Sequence, residues 1–221
     1  MLNQIKSFFK KFKDKKLFKQ GIKKLDDGYY QEAAEILFQI EDSHQVDREM
    51  LLFNLAGALI GQGKLNQGEK YLNKAIEIEA EHDFLWATLA EVNILQKKWE
   101  AAKKAINKAL ELEPGKEIYE RKKDVICGSD RLKENYLKYF KLLKESVEEQ
   151  KKENWKQSVE LLRDAVDHYD QTGYVYNQIG AIYNNNLGNK ELAAKFFKKA
   201  IEKEPDNEVF IRNLKQVLKN S

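Results

Sequence analysis

The chain has 221 residues, 42% of them hydrophobic and 34% charged, with two prolines and a net charge of +3. That length is enough for an extended repeat domain or two small globular ones without disulfides or a structural metal, and the shortage of proline favours long amphipathic helices over sheets. Cys127 is the single cysteine, which excludes an intramolecular disulfide and suits a cytoplasmic protein; its thiol is expected to be a small buried hydrophobe. No run of 18 apolar residues reads as a membrane span, and the N-terminus alternates Phe with Lys rather than offering a signal peptide's apolar core.

The first predicted element, residues 1–13, is a basic amphipathic helix. Seven lysines stand against the single Asp14 within residues 1–20, so the rest of the chain is mildly acidic. Leu2, Ile5, Phe8, Phe9 and Phe12 fall on one helical stripe, with Lys6, Lys10 and Lys13 around it. Two roles suit this pattern: a cap that covers the first repeat with Phe8 and Phe12, or a contact with a partner or an anionic membrane surface. Nucleic acid is disfavoured, because only five of 39 basic residues are arginine, none of them in this arm, and the body is acidic.

From Asp14 onward one pattern recurs. Three segments announce it: GYYQEAAEILFQI from Gly28, KWEAAKKAINKALELEP from Lys98 and GNKELAAKFFKKAIEKEP from Gly188. Each reads as the second helix of a hairpin, and Pro114 and Pro205 stop two of them. In a common frame, each of five hairpins has one small residue in its first helix and two in its second: Gly21, Ala33 and Ile40; Ala56, Gly68 and Ala75; Ala90, Ala102 and Ala109; Ser146, Ser158 and Ala165; Gly180, Ala193 and Ala200. Only Ile40 breaks the rule. Small residues are needed where helices cross, because bulk there would hold the axes beyond roughly 8–10 Å. Larger residues fill the adjoining core: Leu52, Trp86, Leu142 and Tyr176 in the first helices, and Tyr30, Leu65, Trp99 and Trp155 at the turn into the second.

This pattern resembles the tetratricopeptide repeat family, most closely over Asp83–Lys116, where Trp86, Leu89, Ala90, Ala102, Ala109 and Pro114 stand at the family's aromatic, Leu, small, Ala, Ala and Pro positions. The resemblance covers about five repeats over residues 14–205 and implies an all-α, right-handed superhelical solenoid of antiparallel helix pairs with capping helices. The expected divisions are 14–127, with repeats at 14–48, 49–82 and 83–116 and a capping helix, and 128–221, with repeats at 139–172 and 173–206 and a C-terminal cap. The interruption is read from the 56-residue step between Ala109 and Ala165. It predicts a helix over about 116–127, a break at Gly128-Ser129-Asp130, and a long helix over 131–152 with Asp130 as N-cap. The final cap, about 207–219, presents Val209, Ile211, Leu214 and Leu218. Repeat five carries an extra residue within Tyr183–Gly188.

No nucleotide-binding, dinucleotide-binding or metalloprotease motif occurs, and the chain reads as no enzyme, with no cofactor and no metal. Of the three histidines, His168 stands four residues from Asp164 and is read as making a surface hydrogen bond; His44 and His82 lie at repeat ends. Glu77, Glu79, Glu81, Glu111 and Glu113 are read as solvated. The family resemblance implies a non-enzymatic scaffold or adaptor with a concave groove lined by Phe18, Ile22, Met50, Phe53, Asn54, Gly57, Ile60, Phe84, Thr88, Glu91, Phe140, Lys144, Val147, Tyr174, Asn177 and Gln178. That surface suits an amphipathic helix or extended segment of a partner protein; the competing reading is that these residues pack against a neighbouring repeat or the N-terminal helix. Asn54 resembles the asparagine of the family's carboxylate clamp, but Phe18, Ile22, Phe84 and Thr88 stand where its basic and amide partners belong, which argues against acidic chaperone tails. The functional alternative is a peripheral membrane-associated assembly factor anchored by the basic helix.

Overall fold

All fifteen residues of the triplets are buried, and the fourteen small ones all lie within helices, where close crossing needs them. A computed structural model describes residues 2–219, with side chains described from Lys11 onward. Its described residues form twelve helices and no strand. The chain divides into two compact units, Met1–Gly128 and Ser129–Ser221.

Unit 1 contains α1 (Leu2–Asp26), α2 (Tyr30–Phe38), α3 (Arg48–Gly61), α4 (Leu65–Ile78), α5 (Asp83–Leu95), α6 (Trp99–Leu112) and α7 (Glu117–Cys127). The first six form three antiparallel pairs, and α7 packs on α6. Unit 2 contains α8 (Asp130–Lys151), α9 (Trp155–His168), α10 (Tyr174–Asn185), α11 (Lys190–Lys203) and α12 (Glu208–Lys219). It has two antiparallel pairs, with α12 packed on α11. Stacking is what makes each pair stable, since one pair alone leaves an apolar face exposed.

Five hairpin turns share one backbone device. Two residues before each second helix the chain enters the left-handed region, at Gly28, Gly63, Lys97, Glu153 and Gly188, with φ between 59° and 80°. Glycine adopts this conformation freely, whereas a side chain there costs on the order of 1 kcal/mol. Lys97 and Glu153 are exposed, so their side chains gain little in return. Lys97→Gly and Glu153→Gly are therefore each expected to stabilise their unit by about 1 kcal/mol, measured as a higher urea midpoint at unchanged m-value. An unchanged or lower midpoint would show that the strain is already compensated.

Tyr30, Leu65, Trp99 and Trp155 are the first residues of α2, α4, α6 and α9. Leu52, Leu142 and Tyr176 are buried as expected. Trp86 is half-buried, and its indole N–H donates to the Ala80 carbonyl at 2.7 Å.

The structure corrects several sequence expectations. Residues 2–13 are not a separate helix but the first half of α1, which runs unbroken to Asp26; no proline or helix-stopping turn intervenes. Ile40 lies beyond the end of α2, which has nine residues where its counterparts have 14. It is buried against Leu37, Leu51 and Leu55 from a loop, so no small residue was required there. Helix α8 is capped by Ser129, whose side chain accepts from the Leu132 N–H at 3.3 Å, and not by Asp130. In α12 the buried residues are Phe210 and Val217, with Leu214 packed beside Val217; Val209 and Leu218 are exposed. Cys127 is exposed, at the C-terminal end of α7. The five glutamates read as solvated, Glu77, Glu79, Glu81, Glu111 and Glu113, are all exposed.

Polar contacts repeat with the period of the sequence. Glu49 pairs with His82 at 3.0 Å, Asp83 with Lys116 at 2.7 Å, and Asp170 with Lys203 at 2.8 Å, each pair 33 residues apart. Asp83 also accepts from the Tyr119 hydroxyl at 2.6 Å. The hydrogen bonds from Lys116 and then Tyr119 hold its carboxyl below the usual carboxylate range, while Asp83 raises the Lys116 ammonium in return. Start of α5 and start of α7 are thereby tied together.

Candidate peptide-binding face

In unit 1 the first helices α3 and α5 and the capping helix α7 each begin with an acidic first turn, favourable at a helix N-terminus, followed by a large apolar residue. Asp47 caps α3 by accepting from the Met50 N–H at 2.9 Å, which fixes where the helix starts and which way residue 50 faces. Met50 is 47% exposed, Phe84 49% and Ile118 46%. These three residues are 34 positions apart in succession, so they are one structural position repeated three times. The rings of Phe53 and Phe84 meet edge to face, with centroids 5.4 Å apart, which joins the rows of α3 and α5. An aromatic pair in this geometry is rigid and half-solvated, a suitable anchor for an incoming apolar side chain.

Unit 2 repeats the position on its own: Tyr174 is 52% exposed and Val209 45%, 35 residues apart. The Gln178 amide donates to the Tyr174 hydroxyl at 3.0 Å.

Several residues expected to face a ligand are committed elsewhere. Asn54 is buried, and its amide donates to the Met50 carbonyl at 2.7 Å within α3. Thr88 likewise turns its hydroxyl to the Phe84 carbonyl at 2.8 Å. Phe18 is half-buried against the Leu37–Ile40–Leu51–Leu55 cluster. Glu91 pairs with Lys122 of α7 at 2.9 Å, and Asn177 accepts from Asn213 of α12 at 2.8 Å; both bind the capping helix of their unit. In α8, Phe140 is half-buried in an aromatic cluster with Tyr136 and Tyr139. Ile22, Gly57, Ile60 and Val147 are half-buried, while Lys144 is exposed. The sequence reading missed Ile118 and Val209 as members of the face, because both stand on helices taken as caps. The signal was present: counting 34 residues on from Phe84 arrives at Ile118.

The arm residues divide. The side chains of Lys6, Phe8 and Lys10 lie outside those described, whereas Phe12 is 69% exposed and Lys13 is exposed. Phe12 therefore does not cover the first repeat. His168 and Asp164 approach to 3.5 Å on the surface of α9. Among the described residues no three of His, Cys, Asp and Glu come together to hold a metal, and no helix is long and apolar enough to cross a membrane.

Comparison with known proteins bears on the repeats. The tetratricopeptide repeat model matches residues 51–82, 85–116 and 173–207. These correspond to α3–α4, α5–α6 and α10–α11. No curated protein matches the chain. Solved structures to which the chain is similar include a MamA AMB-1 structure, at 17% identity over 88% of this chain and 93% of that one with a TM-score of 0.43. A MamA RS-1 double mutant shows 17% identity over 89% and 97%, with a TM-score of 0.46. The P58(IPK) TPR domain shows 16% over 93% and 64%, with a TM-score of 0.47. Identities this low say nothing of function.

Proposed function

We propose that this chain, which carries tetratricopeptide repeats in both of its compact units, is a non-enzymatic scaffold that holds an amphipathic helix of a partner protein. The observation that carries the reading is the exposed row of Met50, Phe84 and Ile118, one apolar side chain per repeat step, braced by the Phe53–Phe84 contact.

The period of the row favours a helix as ligand. Packed helices lie roughly 8–10 Å apart, and seven residues of an α-helix advance about 10.5 Å. A helix with apolar residues at i, i+7 and i+14 would therefore place successive side chains on successive members of the row. An extended segment facing one way repeats every second residue, about 6.6 Å, and falls out of step. The absence of free basic residues at Phe84 and Thr88 disfavours an acidic tail.

The test uses Met50→Ser, Phe84→Ser and Ile118→Ser in one chain. All three side chains are about half exposed, so the fold is expected to survive, as circular dichroism can verify. Affinity capture from native lysate followed by mass spectrometry is expected to show the wild type's partners reduced at least tenfold, in line with the loss of central apolar anchors. Unchanged recovery of the same partners would sink the reading.

A second reading, a peripheral membrane-associated assembly factor in the cytoplasm, is favoured by a different observation: the exposed Phe12 among the lysines of α1.

A further inference from the structure

Helix α1 has two contrasting sides. One packs on its unit: Asp14 and Gly21 are buried, Leu17 and Phe18 lie against the Leu37 cluster, and Leu25 against Ala33, Ala34 and Ala58. Asp14 accepts from the Ser43 hydroxyl at 2.6 Å in a buried hydrogen bond, which fixes the rotation of the helix about its axis. At 100° per residue that rotation sends Phe12, Lys15, Lys16, Lys19 and Lys23 to the opposite side, and all five are exposed.

The charge on this side is uncompensated. The described ion pair of α1 is Lys24–Glu32, at its C-terminal end. Lys15, Lys16, Lys19 and Lys23, together with Lys11 and Lys13, lie within ion-pairing distance of no described carboxylate. Exposed lysines elsewhere divide between paired ones, such as Lys98, Lys116, Lys152 and Lys203, and solvated ones such as Lys64 and Lys103; what distinguishes α1 is four of the solvated kind together on one side of one helix. A phenylalanine 69% exposed at the head of the row adds apolar surface with no described cover.

The geometry points to this outward side of α1 as a docking surface for an anionic lipid bilayer, with Phe12 entering the headgroup–acyl boundary and Lys15, Lys16, Lys19 and Lys23 meeting the lipid phosphates. The proposal rests on the second functional reading and names its surface and its lipid class. Two features select lipid over other polyanions. The row is entirely lysine, whose long apolar stem lets the ammonium reach the headgroups while the helix sits lower. The exposed side of α1 offers apolar surface at its N-terminal end, where in the sequence Leu2, Ile5, Phe8 and Phe9 fall on the stripe of Phe12, and positive charge behind it, the two attractions that together hold a peripheral segment on an anionic membrane. A reader of nucleic acid gains nothing from an exposed phenylalanine ahead of its lysines and would be expected to use arginine.

The experiment is co-flotation of the full chain with phosphatidylcholine vesicles, with and without 30 mole per cent phosphatidylglycerol. Binding is expected to the anionic vesicles alone and to fall as salt is raised. Replacing the four lysines by glutamine is expected to weaken it several hundredfold, roughly fivefold per lysine; Phe12→Ser is expected to weaken it without altering its salt dependence. Replacement of the four by arginine preserves the charge and is expected to preserve binding, which separates a charge effect from damage to the helix. Met50→Ser/Phe84→Ser/Ile118→Ser should bind vesicles as the wild type does. No flotation at low salt overturns both this proposal and the membrane reading. Flotation that the glutamine variant and Phe12→Ser leave unchanged overturns this surface while leaving a membrane role through another part of the chain. Retention on a nucleic-acid column lost in the glutamine variant, without flotation, would make the row a phosphate-backbone contact and the lipid proposal wrong.

Discussion

Gly173→Ala is expected to destabilise unit 2 by about 3 kcal/mol, the upper part of the range for overpacking a close contact. The backbone is not the reason. Gly173 has φ −74° and ψ −15°, a conformation alanine adopts without strain. The reason is space: a Cβ there would stand 2.5 Å from the Ala200 carbonyl oxygen and 2.6 Å from Cε2 of Phe210. One obstacle is main chain of α11 and cannot swing aside, and the other is the buried ring that anchors α12. Gly173 also donates its N–H to Glu204 at 2.8 Å, so retreat of α10 would break that bond as well. For a unit of this size the melting temperature should fall by roughly 12 °C or more, read by calorimetry, with faster hydrogen exchange in α10 and α12. Gly57→Ala supplies the contrast, because its Cβ would meet only Leu25 at 3.5 Å, an ordinary contact, and alanine favours helix. If both substitutions are equally mild, the close approach of α10 to α11 is not as described.

Leu37→Ala is expected to cost unit 1 between about 3 and 5 kcal/mol. Leu37 is fully buried and touches both neighbours of its helix, packing with Leu51 and Leu55 of α3 and with Leu17 and Phe18 of α1. Its side chain fills the space that Gly21 leaves open, where a Cβ would come within 2.5 Å of it. The chain around it has little freedom to collapse into the vacancy, since α2 is only nine residues long and is followed by the buried Ile40. Denaturant unfolding should show the loss, and hydrogen exchange should place it first at residues 17–25 of α1. A loss below 1 kcal/mol with α1 still protected would mean that α1 is held chiefly by other contacts. The lysine row on α1 depends on that attachment for its fixed orientation.

How much of this was legible beforehand depended on whether a residue answers to its own repeat or to a neighbour. Close packing demands small residues whatever lies nearby, so Ala56, Gly68, Ala75 and their counterparts could be found by spacing alone, and all are buried. Ligand-facing residues obey a weaker rule, because a partner elsewhere in the unit can claim them. Glu91 is claimed by Lys122 and Asn177 by Asn213, each from a capping helix whose register the repeat does not fix. Asn54 is claimed by its own helix, as Asn93 is through the Leu89 carbonyl at 3.0 Å. The left-handed turns were hidden for another reason: glycine marks three of the five, but Lys97 and Glu153 carry no sequence signature of the conformation. The division of α1 failed because a change of composition at Asp14, from apolar-basic to repeat-like, does not break a helix.

The pairs Glu49–His82, Asp83–Lys116 and Asp170–Lys203 have a consequence for how such a chain can change length. Each spans 33 positions; the first two join the opening of a first helix to the residue just before the next helix of the stack, and the third joins the loop before α10 to the last residue of α11. A block from Glu49 to His82 thus carries both halves of its own tie, and its excision or duplication as a whole would leave every other tie intact. Insertion of a single residue inside a helix of that block rotates everything after it by about 100° and breaks the ties together. Growth and shrinkage are in effect quantised: the molecule tolerates 34 residues more readily than one. The extra residue near Tyr183–Gly188 obeys the same rule by lying in the turn after α10, where it turns no helix at all.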